Sequence, residues 1–350
     1  RLLPLREMIV VYTSRELPKL QTVVEKLCCR MSLIIAEPNL KQRLAQELGT
    51  YDFRKLPAYK NGSLRAMAVC HLPWHVVSKA WQQFLQQPEE KVFIRQLRVK
   101  LRRLRSTLSF FKPVLQRSSA VAWQNTLRQQ GELLSRLREL DVALMTCEKI
   151  RSQAAASGGK LTAPTQVEEL LQKLRREEAA ACLQKADLSS VTQTLAQFNI
   201  WLHERPLAPN LADKKLRKFI SRRLNEWSEK LETLDKKYPD FHNMLELHQI
   251  RIKVKRFRYA LQTLPEVPRD SNLLRRLKRL QDMLGFLHDD FINARLVQCF
   301  LEDAANVQLR YEAGLFAGWE RAKAEAAVEM LPQLWEDFCG ALNAWRKENL

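Results

Sequence analysis

Two segments of this chain carry the same alternation of cationic and apolar residues. One is Arg95-Gln96-Leu97-Arg98-Val99-Lys100-Leu101-Arg102-Arg103-Leu104-Arg105, and the other is His248-Gln249-Ile250-Arg251-Ile252-Lys253-Val254-Lys255-Arg256-Phe257-Arg258. Neither contains an acid. Guanidinium groups offer forked donors and ammonium groups a compact charge, and both suit phosphate oxygens. On a helix, at about 100° per residue, Arg95, Arg98, Arg102 and Arg105 share one arc, and Leu97, Leu101, Leu104 and Leu108 occupy the next. In the copy, His248, Arg251, Lys255 and Arg258 lie beside Ile250, Val254, Phe257 and Leu261. Lys100, Arg103, Lys253 and Arg256 supply secondary charge around the main arcs. Each helix can bury an apolar stripe and present a cationic one. Acidic i,i+4 partners that would offset the charge are missing from both copies, so the chemistry to expect is the holding of a polyanion.

A second repeated segment follows each basic one. Leu127-Arg128, Glu132, Leu134 and Leu137-Arg138-Glu139 align with Leu277-Lys278, Asp282, Leu284 and Leu287-His288-Asp289. Arg138 therefore stands where the later copy has His288. Lys278, Gln281, Gly285 and His288 fall on one helix face, so Arg138, Lys278 and His288 join the candidate phosphate contacts. Gly285 costs roughly 1 kcal/mol of helix stability against Ala, which a ligand's close approach or a helix crossing would explain. His248 and His288 read as donors to phosphate oxygens rather than zinc ligands, and among cations they should stay neutral until an anion binds. Tyr259 either adds a hydroxyl donor or packs as a helix aromatic. His71 and His75 have the i,i+4 spacing of a metal pair, but Pro73 lies between them and no third ligand is evident. No metal and no cofactor are expected. His288-Asp289-Asp290 reads as a group that caps and orients basic neighbours. Lys173, Arg175 and Arg176, among Glu168, Glu169, Glu177 and Glu178, read as surface pairing.

Catalysis finds no support in the sequence. No Walker loop, GxSxG or HExxH is present, and uniform binding of phosphate gives affinity without rate. A binding protein rather than an enzyme is expected.

These helices must be positioned by a chain of 350 residues with 58 Lys+Arg, 39 Asp+Glu and a formal net charge of +19. Hydrophobic content of 46% is ample for a core. Nine glycines are few for a fold with many tight turns, which favours an all-α protein. The basic excess favours nucleic acid, anionic lipid or inorganic polyanion as partner. Seven scattered cysteines without a CxxC read as reduced thiols in a cytoplasmic compartment. No apolar run approaches the roughly 18 residues of a membrane span, so no membrane partner is expected.

Residues 1–60 read as a short α+β segment, with a strand at Met8-Ile9-Val10-Val11-Tyr12, a helix over 17–29 and a linker over 50–64. Helices are expected near 65–86, 90–112, 119–151 and 165–186, then near 210–237, 241–264, 270–303 and 307–347. The repeated basic helix is second in each set. That periodicity points to two four-helix bundles formed by an internal repeat, over 65–187 and 188–350.

Leu247–Ala260 resembles the signature helix of the CHAD domain, the conserved histidine α-helical domain, and Leu277–Asp289 resembles its following helix. The resemblance covers roughly residues 65–345, and the second half matches more closely than the first. Arg95 stands where the family motif usually has histidine, which keeps or raises positive charge and weakens a metal-ligand role, and Glu139 stands near a usual aspartate. The resemblance implies two four-helix bundles related by a pseudo-twofold, a basic cavity and surface, binding of inorganic polyphosphate and association with polyphosphate granules. It also makes residues 1–60 weakly similar to the tail of a CYTH domain, though of the glutamates expected on its last strand only Glu7 is present. Three other functions compete: binding of RNA or DNA, hydrolysis of phosphoanhydrides as accessory to an upstream domain, and docking of an acidic protein. The basic helices offer Gln96, Gln249 and Tyr259 but little else for base recognition, so polyphosphate is the expected ligand.

Overall fold

The structure is a computed structural model that describes residues 17–30, 76–115, 117–156, 165–185, 188–203, 213–237, 241–264, 271–301 and 306–349. The expected strand at Met8–Tyr12, the linker over 50–64 and the His71/His75 pair lie outside the described residues. Within them the protein is helical and has no strand. The helices are α1 (Leu17–Arg30), α2 (76–86), α3 (Lys91–Phe111), α4 (Arg117–Leu133), α5 (Ser135–Ala156), α6 (Gln166–Lys185) and α7 (Leu188–His203). They continue as α8 (Asp213–Glu232), α9 (Leu234–Lys237), α10 (Met244–Thr263), α11 (Asn272–Leu301), α12 (Val307–Glu329) and α13 (Leu331–Asn349). None of them is long and apolar enough to cross a membrane.

The chain divides into two compact units, Arg1–Leu133 with Cys182–Arg217, and Leu134–Ala181 with Lys218–Leu350. Each unit therefore draws on both sequence blocks, 65–187 and 188–350. In the first unit α3 packs on α4, and α1 on α7. The apolar arc of α3 is the reason: Ile94, Leu97, Leu101, Leu104 and Leu108 are all buried. Trp123 of α4 meets Phe198 of α7 edge to face, with ring centroids 4.9 Å apart. Gln197 of α7 donates to Glu25 of α1 at 3.0 Å.

In the second unit α11 is central and packs against α5, α10, α12 and α13. Its Leu277, Leu280, Leu284 and Leu287 are buried at helical spacing. The apolar arc of α10 turns inward likewise, with Ile250, Val254, Phe257 and Leu261 buried. Asn243 fixes the start of α10 by accepting from the Leu245 and Glu246 amides. Thr165 and Glu168 form a reciprocal capping box at the start of α6.

Three expectations about helices need correction. Residues 119–151 do not form one helix, since the ladder breaks at Leu134. Two carbonyls that would carry the ladder on are bonded by side chains: Arg98 Nη1 donates to the Gly131 carbonyl at 2.8 Å, and the Cys182 thiol to the Leu133 carbonyl at 2.9 Å. Residues 307–347 are interrupted at Met330, because Pro332 has no amide to donate and crowds the preceding turn. Residues 188–203 form α7, a helix missing from the expected set. Its Ser and Thr content is high, but Val191, Leu195, Phe198 and Leu202 keep helical spacing and are buried.

Candidate anion-binding site

The densest group of expected contacts lies on α10 and α11 in the second unit. His248 and His288 are distant in sequence, yet their Nδ1 atoms stand 3.3 Å apart and their rings tilt by 37° at a centroid separation of 4.9 Å. At that distance one Nδ1 donates and the other accepts, so the facing nitrogens share one proton. Burial lowers the pKa of His288 to about 3, helped by the charges of Arg251, His248 and Lys255. His248 is lowered by burial first, then by Arg251 and Lys255. The positive potential of Arg251 and Lys255 thus falls on both rings. Ligand-free imidazoles in this setting are neutral at physiological pH.

The remaining residues of this stretch divide by face. Arg251, Lys253, Lys255 and Arg258 are half-buried, and Lys278 is exposed on α11. Among the described residues Arg258 and Lys278 have no carboxylate partner. Arg256 turns elsewhere: its guanidinium lies 5.6 Å from the centre of the Trp227 ring, which Arg223 also approaches at 5.4 Å. Burial, then the Arg223 charge, lowers the Arg256 pKa. The Tyr259 ring is buried in helix packing. Among the described residues a Cβ built at Gly285 would meet no atom within 4 Å, so no helix crossing among them requires the glycine.

The cationic arc of α3 belongs to the first unit. Arg95 is exposed, and Arg98, Lys100, Arg102, Arg103 and Arg105 are half-buried. Arg98 has one guanidinium nitrogen committed to the Gly131 carbonyl. Arg102 has no carboxylate partner among the described residues, and its buried Nε has no acceptor. Burial lowers the Lys100 pKa, followed by the charges of Arg103 and Lys79. Arg138 lies on α5 in the second unit, with Nη1 3.9 Å from Met145 Sδ.

Carboxylates do pair with arginines elsewhere. Arg128 meets Glu132, Arg222 and Arg223 meet Glu226, Arg276 meets Asp337, and Arg346 meets Glu229 and Glu232. The reading of Arg175 as surface pairing is corrected. Its side chain is 7% exposed, and Nε bonds Asp141 Oδ1, 0% exposed, at 2.7 Å. Sequence reading also missed a buried polar node in which Asn293 donates to Glu320 at 2.8 Å and to Thr146 at 3.4 Å. Burial raises the Glu320 pKa to about 7, the Asn293 bond opposes the rise, and Asp290 adds to it. The available signal was Glu320 falling at helical spacing with Leu309, Ala313, Phe316 and Ala324, all buried on α12. Among the described residues no group of three or more His, Cys, Asp or Glu could hold a metal ion.

Comparison with known proteins bears on the fold. The CHAD domain family model matches residues 75–298. The crystal structure of the CHAD domain from the plant Ricinus communis is similar, with a TM-score of 0.61 and 21% identity over 83% of this chain and 95% of that one. PptA from Streptomyces chartreusis gives a TM-score of 0.60 and 17% identity over 79% of this chain and 100% of that one. No curated protein matches the sequence. With its helical architecture, its paired histidines on α10 and α11 and a match over more than half its length, the chain belongs to the CHAD domain family.

Proposed function

We propose that this chain binds inorganic polyphosphate through the cationic faces of α3 and α10, with His248 and His288 as donors. The observation that carries the proposal is the 3.3 Å imidazole pair in the field of Arg251 and Lys255, whose charges add to burial in depressing both histidines. A chain of phosphates would neutralise that potential and accept hydrogen bonds from Arg251, Lys255, Arg258, Lys278 and the two rings. On α3, Arg95, Arg98, Arg102 and Arg105 would do the same, with Lys100, Arg103, Lys253 and Arg256 adding charge. Arg138 completes the proposed contacts, and Tyr259, buried in helix packing, is left out of them. One cationic stripe per repeat, as a duplicated four-helix bundle would carry, suits a ligand that is itself a repeating anion. The chain acts as a binding module rather than an enzyme, and polyphosphate granules are where it would gather. Base-stacking aromatics beside the cations, which helices that bind nucleic acid commonly add, do not stand out on α10, where Tyr259 is buried.

The test is titration of labelled polyphosphate into the wild-type chain and a variant with Arg251→Ala, Lys255→Ala and Arg258→Ala. Affinity should fall by at least about a hundredfold, since charge-assisted bonds contribute about 1.5–3 kcal/mol each, while circular dichroism stays unchanged. Equal affinities would sink the proposal. Displacement of the label by excess nucleic acid at physiological salt would instead favour RNA or DNA as ligand.

A further inference from the structure

Polyphosphate has no apolar surface, yet the imidazole pair opens onto an apolar pocket. Met244, Leu245, Leu247, Leu284, Phe291 and Ile292 line a cavity of about 240 Å³ whose wall is completed by His248 and His288. Two of these side chains face solvent: Leu245 is 75% exposed and Phe291 37%. The pocket lies wholly in the second unit, at the start of α10 and along α11.

From this juxtaposition we infer that the pocket takes the short aliphatic chain of an organic phosphate whose phosphate end rests on the imidazole pair, Arg251 and Lys255. The inference builds on the proposed anion site and names a second ligand class for it. Charge complementarity sets one end of the ligand, because both rings feel the charges of Arg251 and Lys255. The lining sets the other end. Among the described residues the imidazoles are its only polar side chains, so a nucleobase would bury its edge donors and acceptors without partners. A saturated chain has none to satisfy, and it covers apolar surface that polyphosphate would leave wet. Volume limits the chain to a short one, since pockets for drug-sized ligands begin at about 300 Å³.

The experiment is isothermal titration of the full chain with hexyl diphosphate, inorganic pyrophosphate and hexanol. Hexyl diphosphate should bind at least about tenfold more tightly than pyrophosphate, because even two buried methylenes supply that factor, and hexanol should show no saturable binding. A variant with Leu245→Ser and Phe291→Ser should erase the difference and leave pyrophosphate affinity within about twofold. Leu245→Ser alone, at the more exposed position, serves if the double variant does not fold. Equal affinities for the two phosphates, hexanol binding as tightly as its diphosphate, or an alkyl advantage that survives the Ser variants would each overturn the inference. Long-chain polyphosphate titrated in parallel separates the two readings. Polyphosphate binding without an alkyl advantage overturns this inference alone. An alkyl advantage without polyphosphate binding overturns the proposed function alone.

Discussion

His248 and His288 show how a residue's role depends on neighbours that sequence order does not reveal. Their basic surroundings on α10 can be read from the chain, but their 3.3 Å approach comes only from packing α10 on α11. Burial is the main reason the rings stay neutral, and the charges of Arg251 and Lys255 add to it. An anion laid on those two residues removes that added repulsion, so both histidine pKa values should rise on binding. Binding then takes up protons, and polyphosphate affinity should increase as pH falls from about 7 to 5. Proton NMR of the imidazole resonances with and without polyphosphate measures the shift directly, and pH-independent affinity would contradict it. Without ligand the effect on stability has a definite sign. A histidine whose folded pKa lies below its unfolded value of 6.5 binds fewer protons in the native state. Stability present above pH 6.5 is therefore lost as pH falls from 6.5 toward 3.

Glu320 works in the opposite direction. Its folded pKa of about 7 exceeds the ordinary 4.5, so its contribution is fully present below pH 4.5 and is lost as pH rises through 7. Asn293 is 0% exposed, and its Oδ1 has no donor among the described residues. Glu320→Gln keeps an acceptor for Asn293 Nδ2, removes the buried charge and adds amide donors that could reach Oδ1. The variant should be more stable than wild type by about 1–3 kcal/mol at pH 8, with the gain shrinking toward pH 5. Thermal unfolding at the two pH values checks this.

At the scale of elements, the phase of α3 and α10 was legible and the continuity of other helices was not. Leu97, Leu101, Leu104 and Leu108 on α3, and Ile250, Val254, Phe257 and Leu261 on α10, turn inward as their spacing requires. That phase is what leaves the cationic arcs at the surface. The break at Leu134 depends on Arg98 and Cys182 reaching two carbonyls, and such long-range bonds leave no periodic trace. The missed α7 has another cause. Ser and Thr lower its local propensity, and burial of Phe198 and Trp201 overrides that. Asp141 and Arg175 join α5 to α6 by a buried ion pair. Asp141→Ala should cost about 3–5 kcal/mol, because it strands the Arg175 charge in the core. Urea unfolding measures the loss. A cost below about 1 kcal/mol would mean that water reaches Arg175 in the variant.

For the molecule as a whole, the net charge of +19 governs association more than fold. Polyphosphate affinity should fall steeply with salt, because each neutralised phosphate releases condensed counterions as in nucleic-acid binding. Between about 50 and 200 mM salt, a ligand held at six or more phosphates should lose roughly a thousandfold in affinity. Fluorescence titration at several salt concentrations gives the slope, and replacing Arg95, Arg102 and Arg105 by Ala should flatten it. An unchanged slope would remove α3 from the proposed contact.

The sequence by itself determined that the chain beyond its first segment is helical, that two of its helices carry the same cationic face, and which side of those two helices is buried. Those properties are local, set by residue type at a period of 3.6, and they survive whatever the helix packs against. Only tertiary structure decided which charges are met by partners. Arg276 and Arg346 find carboxylates on other helices, Arg175 is drawn into the core, and Arg256 settles on Trp227. His248 and His288 are brought together under the field of Arg251 and Lys255. Electrostatic partners are fixed by distance through space, and for residues far apart along a chain that distance exists only once the helices have packed.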